Sequence, residues 1–155
     1  MRKPKNFKDF VLGLLLICVL IGIAYGIGSL FEADPEPGNI TVWSGDTEIT
    51  ALQNVTAEKK RNQDTVEGEK FDVEEDAERF PVVHLDGSII LDASQDPYGS
   101  MYYTIYKEDF SELYYRSEFF QYPEESGTYY IIIDTAWGGA SHSFSTQHGF
   151  TLIME

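Results

Sequence analysis

The sequence predicts an all-β fold, a single antiparallel sandwich, preceded by one N-terminal transmembrane helix. Three observations carry this expectation. From Phe10 to Phe31 the chain runs for 22 residues without a charge. Beyond residue 38, short β-branched and aromatic runs alternate with turn-forming Gly, Pro, Asn, Asp and Ser. No stretch there repeats apolar residues at the spacing of an amphipathic soluble helix. Setting the N-terminal segment aside leaves about 120 residues, enough for one sandwich core and too few for two domains. The expected organisation is a cytoplasmic tail over 1–9, a transmembrane helix over 10–31, a linker over 32–38 and an extracytoplasmic β-sandwich domain over 39–155.

The helix is expected first. A 22-residue run reaches about 33 Å at ~1.5 Å per residue, enough for a hydrocarbon core of ~30 Å. Arg2, Lys3, Lys5 and Lys8 precede it, while Glu32, Asp34 and Glu36 follow. The excess of bases keeps the N-terminus in the cytoplasm. Tyr25 and Phe31 stand near the far end, where aromatic rings favour the interface. A cleaved signal peptide is the competing reading, with Leu12–Ile23 as its apolar segment and Ala24, Gly26, Gly28 and Ser29 as small residues at a cut. The run continues through Ile27, Leu30 and Phe31, which favours an uncleaved anchor. Cys18 is preceded by Leu16 and Ile17, where a lipobox places small residues. Gly22 and Gly26 form a small-residue repeat of a kind common in membrane helices.

The extended segments follow. Pro35 and Pro37 stiffen the linker. Residues 39–43 and 47–52 read as two strands around the Ser44-Gly45-Asp46 turn. Residues 53–78 are highly charged, and Val66, Phe71 and Val73 suggest exposed edge strands with a long mobile connection. Residues 80–85 and 88–91 read as a hairpin, because Asp86-Gly87 tolerates the positive φ of a two-residue turn. Residues 101–107, 113–115 and 118–122 are further strand candidates. A long strand then runs to Trp137, and 150–154 closes the chain.

The stretch Pro123-Glu124-Glu125-Ser126-Gly127-Thr128-Tyr129-Tyr130-Ile131 resembles the approach to strand F of immunoglobulin-like sandwiches. The resemblance implies that Tyr129 is the corner tyrosine, bonding back to the backbone, and that Ile131 takes the place of the family's core cysteine. An inter-sheet disulfide is thereby excluded. Cys18 is the only cysteine, so no disulfide staples the folded part. This suits a bacterial envelope, particularly of the Gram-positive type.

Charge narrows the function. Residues 32–155 hold 25 acids against 7 bases, a net of −18. Such a surface repels phosphate backbones, so nucleic acid is not expected as a partner. The expected partners are the membrane, through a single span, and an envelope protein or ligand. The three histidines, His84, His142 and His148, lack the helical spacing that presents two imidazoles to one metal. Ser141, Ser143 and Ser145 lack a nucleophile-elbow context. Asp92 and Asp96 lack the oxygen series of a calcium loop.

No catalytic residue, metal or cofactor is therefore expected, and the chain reads as a non-enzyme. The candidate binding loop is the Gly/Ser/His-rich connection carrying Trp137, Ser141, His142, Phe144 and His148, where aromatic anchors stand among adaptable polar groups. Its plainer reading is a sharp hairpin with Trp137 in the core. The expected function is a membrane-anchored extracytoplasmic module for binding, sensing or assembly. The layout is similar to small membrane-anchored ectodomains of Gram-positive bacteria. Two alternatives remain open, a histidine-dependent metallohydrolase and a calcium-stabilised structural or adhesive domain.

Overall fold

The computed structural model describes residues 7–30 and 35–155, and within 7–30 the side chains of residue 11 and residues 13–23. The chain divides into two compact units, 1–34 and 35–155. The N-terminal unit contains one helix, α1, Phe7–Leu30. Its described side chains Leu14–Leu16, Ile17 and Val19–Ile21 are all exposed, so the helix presents apolar surface on every side. Among the described residues no helical stretch is long and apolar enough to cross a membrane. The described side chains of Gly13–Ile23 alone cover roughly 16 Å. The helix begins at Phe7, three residues before the expected start, and so takes in Lys8 and Asp9 of the expected tail, whereas Arg2, Lys3, Lys5, Phe31, Glu32 and Asp34 lie outside the described residues.

The second unit is all-β, with ten strands in two sheets. Strand β1 (Ile40–Ser44) buries Ile40, Val42 and Ser44 in strict alternation. It is flanked by β2 (Thr47–Thr50) and β6 (Ile89–Ala93), giving an antiparallel sheet in the order β2-β1-β6. The larger sheet is built around two long strands, β9 (Gly127–Gly138) and β10 (His142–Met154). They pair antiparallel from Gly127↔Met154 to Gly138↔Ser143. On the β9 side follow β7 (Tyr102–Lys107) and β8 (Glu112–Ser117). On the β10 side lie β3 (Leu52–Lys60) and β4 (Val66–Glu67), while β5 (Val82–His84) runs parallel to the end of β10.

Alternation along β9 explains the core. Tyr129, Ile131, Ile133 and Trp137 face the smaller sheet and meet Ile40, Val42, Ile105, Phe150 and Leu152 in one apolar cluster. Ile132 faces the opposite way and is covered by a short helix, α2 (Val73–Asp76), and the 3₁₀ turn Ala77–Arg79. Asp72 caps α2 by accepting from the Glu74 and Glu75 amides at 3.1 and 3.4 Å. Val73 and Phe80 then plug the sheet's outer face beside Ile132. Gly149 makes this possible, because a Cβ there would stand 2.6 Å from the Phe80 ring.

Several expectations are corrected. Residues 80–85 and 88–91 do not form a hairpin. β5 pairs with β10 and β6 with β1, so the Asp86-Gly87 turn, with Gly87 at φ 76°, carries the chain from one sheet to the other. The buried Ser44 hydroxyl fixes that corner by accepting from the Asp86 amide at 2.7 Å. Local turn chemistry defines the bend, whereas burial of Val83 and Leu91 chooses the partners. In the charged 53–78 region Val66 does lie on an exposed edge strand, β4, but Val73 opens the helix α2, and the segment also holds most of the nine-residue strand β3. Residues 118–122 form no strand, and β10 begins at His142, well before residue 150.

Candidate functional site

The β9–β10 hairpin holds every residue of the expected binding loop, and it divides them between core and surface. Only Gly139, Ala140 and Ser141 lie between the strands. Trp137 is fully buried, and its Nε1 donates to the Thr146 hydroxyl at 2.7 Å. His148 is also fully buried, with Nε2 2.9 Å from the same hydroxyl and its ring edge-on to Trp137 at 5.8 Å. Burial depresses the His148 pKa to about 4, so the imidazole is neutral near pH 7. Its Nδ1 and the Thr135 hydroxyl are buried without a hydrogen-bond partner. Trp137 and His148 thus lie in a polar knot inside the sandwich and have no surface to offer a ligand.

His142 and Phe144 sit nearer the hairpin tip, with ring centroids 4.7 Å apart. His142 Nε2 lies 2.8 Å from Glu58 Oε1 across the β3–β10 ladder, and Lys60 Nζ reaches the same oxygen at 3.2 Å. The hydrogen bond from His142, then that from Lys60, hold the Glu58 carboxyl below its usual pKa. Phe144 is buried and Ser141 exposed. The adaptable loop read from the Gly/Ser/His composition is thus a short turn between paired strands. Its polar residues are set by register, because β3 and β9 tie both edges of β10.

The histidines do not converge. His142 pairs with Lys60 at one end of β10 and His84 with Ile153 at the other, separated by roughly 35 Å of strand. His84 is exposed and stands 3.6 Å from Glu155. Among the described residues no group of three His, Cys, Asp or Glu side chains could hold a metal ion. The expected corner residues lie together on β9. The Tyr129 hydroxyl donates to the Glu125 carbonyl at 2.8 Å, and Ile131 is fully buried in the core.

A concavity lies on the outer face of the same hairpin. It is a groove of about 500 Å³. Its floor is made of small side chains, Ala57, Ala136 and Ser145, which the ladders place side by side as Ala57↔Ser145↔Ala136. One wall carries Tyr102 and Arg116, and the other Glu67 and Lys70. The Arg116 guanidinium carbon lies 4.7 Å from the centre of the Tyr102 ring. Among the described residues neither cation has a carboxylate within ion-pair distance, whereas Asp134 on the floor accepts from the Gln147 amide at 3.0 Å. Gln147 in turn accepts from the Phe71 backbone at 2.8 Å, which ties the groove floor to the α2 segment.

This arrangement suits binding. Arg116 over the Tyr102 ring makes a cation–aromatic wall, and Arg116 and Lys70 offer charge-assisted hydrogen bonds. No histidine or cysteine lines the groove, and the one imidazole that touches a lining hydroxyl, His148 against Thr146, is fully buried in the core behind the floor. The site is not legible in the sequence because its walls come from three separate segments, around residues 67–70, 102 and 116. The one local hint is the run of small residues at 136 and 139–141. No family model, curated protein or solved structure matches this chain.

Proposed function

We propose that this chain is a membrane-anchored extracytoplasmic binding module of a bacterial envelope, and that its ligand lies in the outer-face groove of the β9–β10 hairpin. The observation that carries the proposal is the groove itself. Two cations, one of them over the Tyr102 ring, converge over a floor stripped of bulky side chains, in a domain with few basic residues. An elongated polar ligand with an anionic group fits that chemistry.

The anchor is the uncharged run from Phe10 to Phe31, most of it within α1. Membrane insertion satisfies the apolar surface that the helix presents all round. An immunoglobulin-like relationship is supported by the strand order β10-β9-β7-β8, which matches the G-F-C-C′ order of variable-type domains, and by the Tyr129–Glu125 bond. The departures are Ile131 in the cysteine position, no tryptophan on β7, and a second sheet of three strands only.

The test is capture from intact envelopes using the full chain and an Ala136→Trp variant that fills the groove floor. Recovery of a defined envelope component by the wild type, lost with Ala136→Trp, is the expected result. Equal recovery by both removes the groove from the function, and repeated recovery of nothing removes the binding reading.

A further inference from the structure

The domain has five outer strands, and four are protected against pairing with another chain, β5 by being only three residues long. β2 is four residues long and largely polar, and β4 has two residues. β8 shows two register shifts against β7, and Arg116 within it has φ 47°, which twists that edge away from a flat template. β6 has none of these devices. Its sequence is Ile-Ile-Leu-Asp-Ala, and all five residues stay in register with β1.

The backbone of β6 shows which groups are free. The ladder continues at Ser94, whose amide donates to the Asn39 carbonyl at 2.9 Å. Even-numbered residues of β6 therefore turn their amides and carbonyls towards β1, and odd-numbered residues turn theirs away. Ile89 meets a substitute partner on that free side. Its amide donates to the Tyr122 hydroxyl at 2.7 Å, and the hydroxyl lies 3.4 Å from its carbonyl. Leu91 and Ala93 each present an unpaired amide and carbonyl to the free edge. Their side chains, with that of Ile89, point inward and pack against the core at its margin. On the outer face Ile90 is 61% exposed.

We propose that the free edge of β6 accepts an extended segment of a partner protein as a fourth strand of the smaller sheet. Main-chain bonds to Leu91 and Ala93 supply the affinity, and apolar side chains facing inward extend the core beside Ile89, Leu91 and Ala93. Charge selects the partner. The three strands of this sheet contain Glu48 and Asp92 and no base, on a unit of strongly negative net charge. The incoming strand therefore carries Lys or Arg at its outward positions. A second copy of the chain is disfavoured by the same charge. Tyr122 holds the first position of the edge until the strand arrives. This surface belongs to the smaller sheet, so it stands or falls independently of the groove.

The test uses the full chain in detergent micelles with a short, end-blocked peptide of alternating Lys and Val. Residue-resolved amide exchange is the readout. Binding is expected to slow exchange at Leu91 and Ala93 at least tenfold, while Ile90 and Asp92 are already protected. The same peptide N-methylated at every second residue should not bind, and Asp92→Lys should weaken the parent peptide. Tyr122→Phe should tighten it. Equal binding of the N-methylated peptide, or unchanged exchange at Leu91 and Ala93 with peptide bound, overturns the proposal. Protection that rises with chain concentration in the absence of peptide overturns it in favour of self-pairing.

Discussion

The Tyr129 hydroxyl donates to the carbonyl oxygen of Glu125, 2.8 Å away and four residues earlier in the chain. This bond closes the turn before β9 and fixes the register of the strand that carries the core. Burial, followed by the negative charge of Glu125, raises the pKa of the phenol, so the donor proton is retained well into the alkaline range.

Removing that hydroxyl tests the corner. Tyr129→Phe keeps the ring in the core and leaves the Glu125 carbonyl without its partner, which should cost about 1 kcal/mol. Ile131→Ala, two residues on, empties a fully buried site and should cost about 2–5 kcal/mol. Thermal melts of both variants check the order. Equal effects would mean that the corner bond is as important as the core.

His148 makes stability depend on pH in a defined window. Its folded pKa is about 4, below the ordinary histidine value of 6.5, so the unfolded chain binds the proton first as pH falls. Stability should therefore fall as pH drops from about 6.5 towards 4, by a total of about 3 kcal/mol from this residue alone. Glu58 acts in the same direction at lower pH. Its carboxyl is depressed chiefly by the bond from His142, so that contribution is present above the ordinary carboxylate range and lost as pH falls through the folded value. His148→Leu should flatten the upper window and leave the lower one in place, read by denaturant unfolding at a series of pH values.

Much of the fold was legible in the sequence, and the failures have physical causes. β1, β7 and β9 combine alternation with β-branched and aromatic residues, and their positions follow. The first half of β10 reads as a loop because Ser143, Ser145 and Gly149 have little strand propensity. It is a strand because β3 and β9 satisfy both of its edges. The Asp86-Gly87 turn is visible in the sequence, but the sheet to which each flank belongs is decided by burial of residues far away in the chain. The groove was not legible at all. Tyr102, Arg116 and Ala136 meet only through the register of three strands, Lys70 joins them from the segment after β4, and a one-residue slip would turn Ala136 into the core.

Gly149 ties the two faces of the larger sheet together. Gly149→Ala would press a methyl group into the Phe80 ring, whose nearest atom lies 2.6 Å from the added Cβ position. The Phe80 plug should be displaced at a cost of about 1–3 kcal/mol. Increased protease sensitivity within residues 70–80 is the expected sign, and unchanged cleavage would show that Phe80 repacks freely.

The proposed anchor is tested separately. The full chain should remain with membranes after an alkaline wash and should be shortened by protease only from the extracytoplasmic side. Replacing Leu16 and Leu20 with Lys places charge in the middle of the run, at a cost of about 2.5–3.5 kcal/mol each, and should release the chain from the membrane fraction. Retention of the double variant would contradict an anchor built on this helix.

The most direct measurement is photo-crosslinking from the groove in intact cells. A photoreactive phenylalanine in place of Tyr102 stands on the groove wall, and the same residue in place of exposed Tyr98 serves as a surface control. A defined envelope adduct from position 102, absent from position 98 and abolished by Ala136→Trp, is the predicted result. The same adducts from both positions, or none from position 102, would contradict a ligand-binding groove.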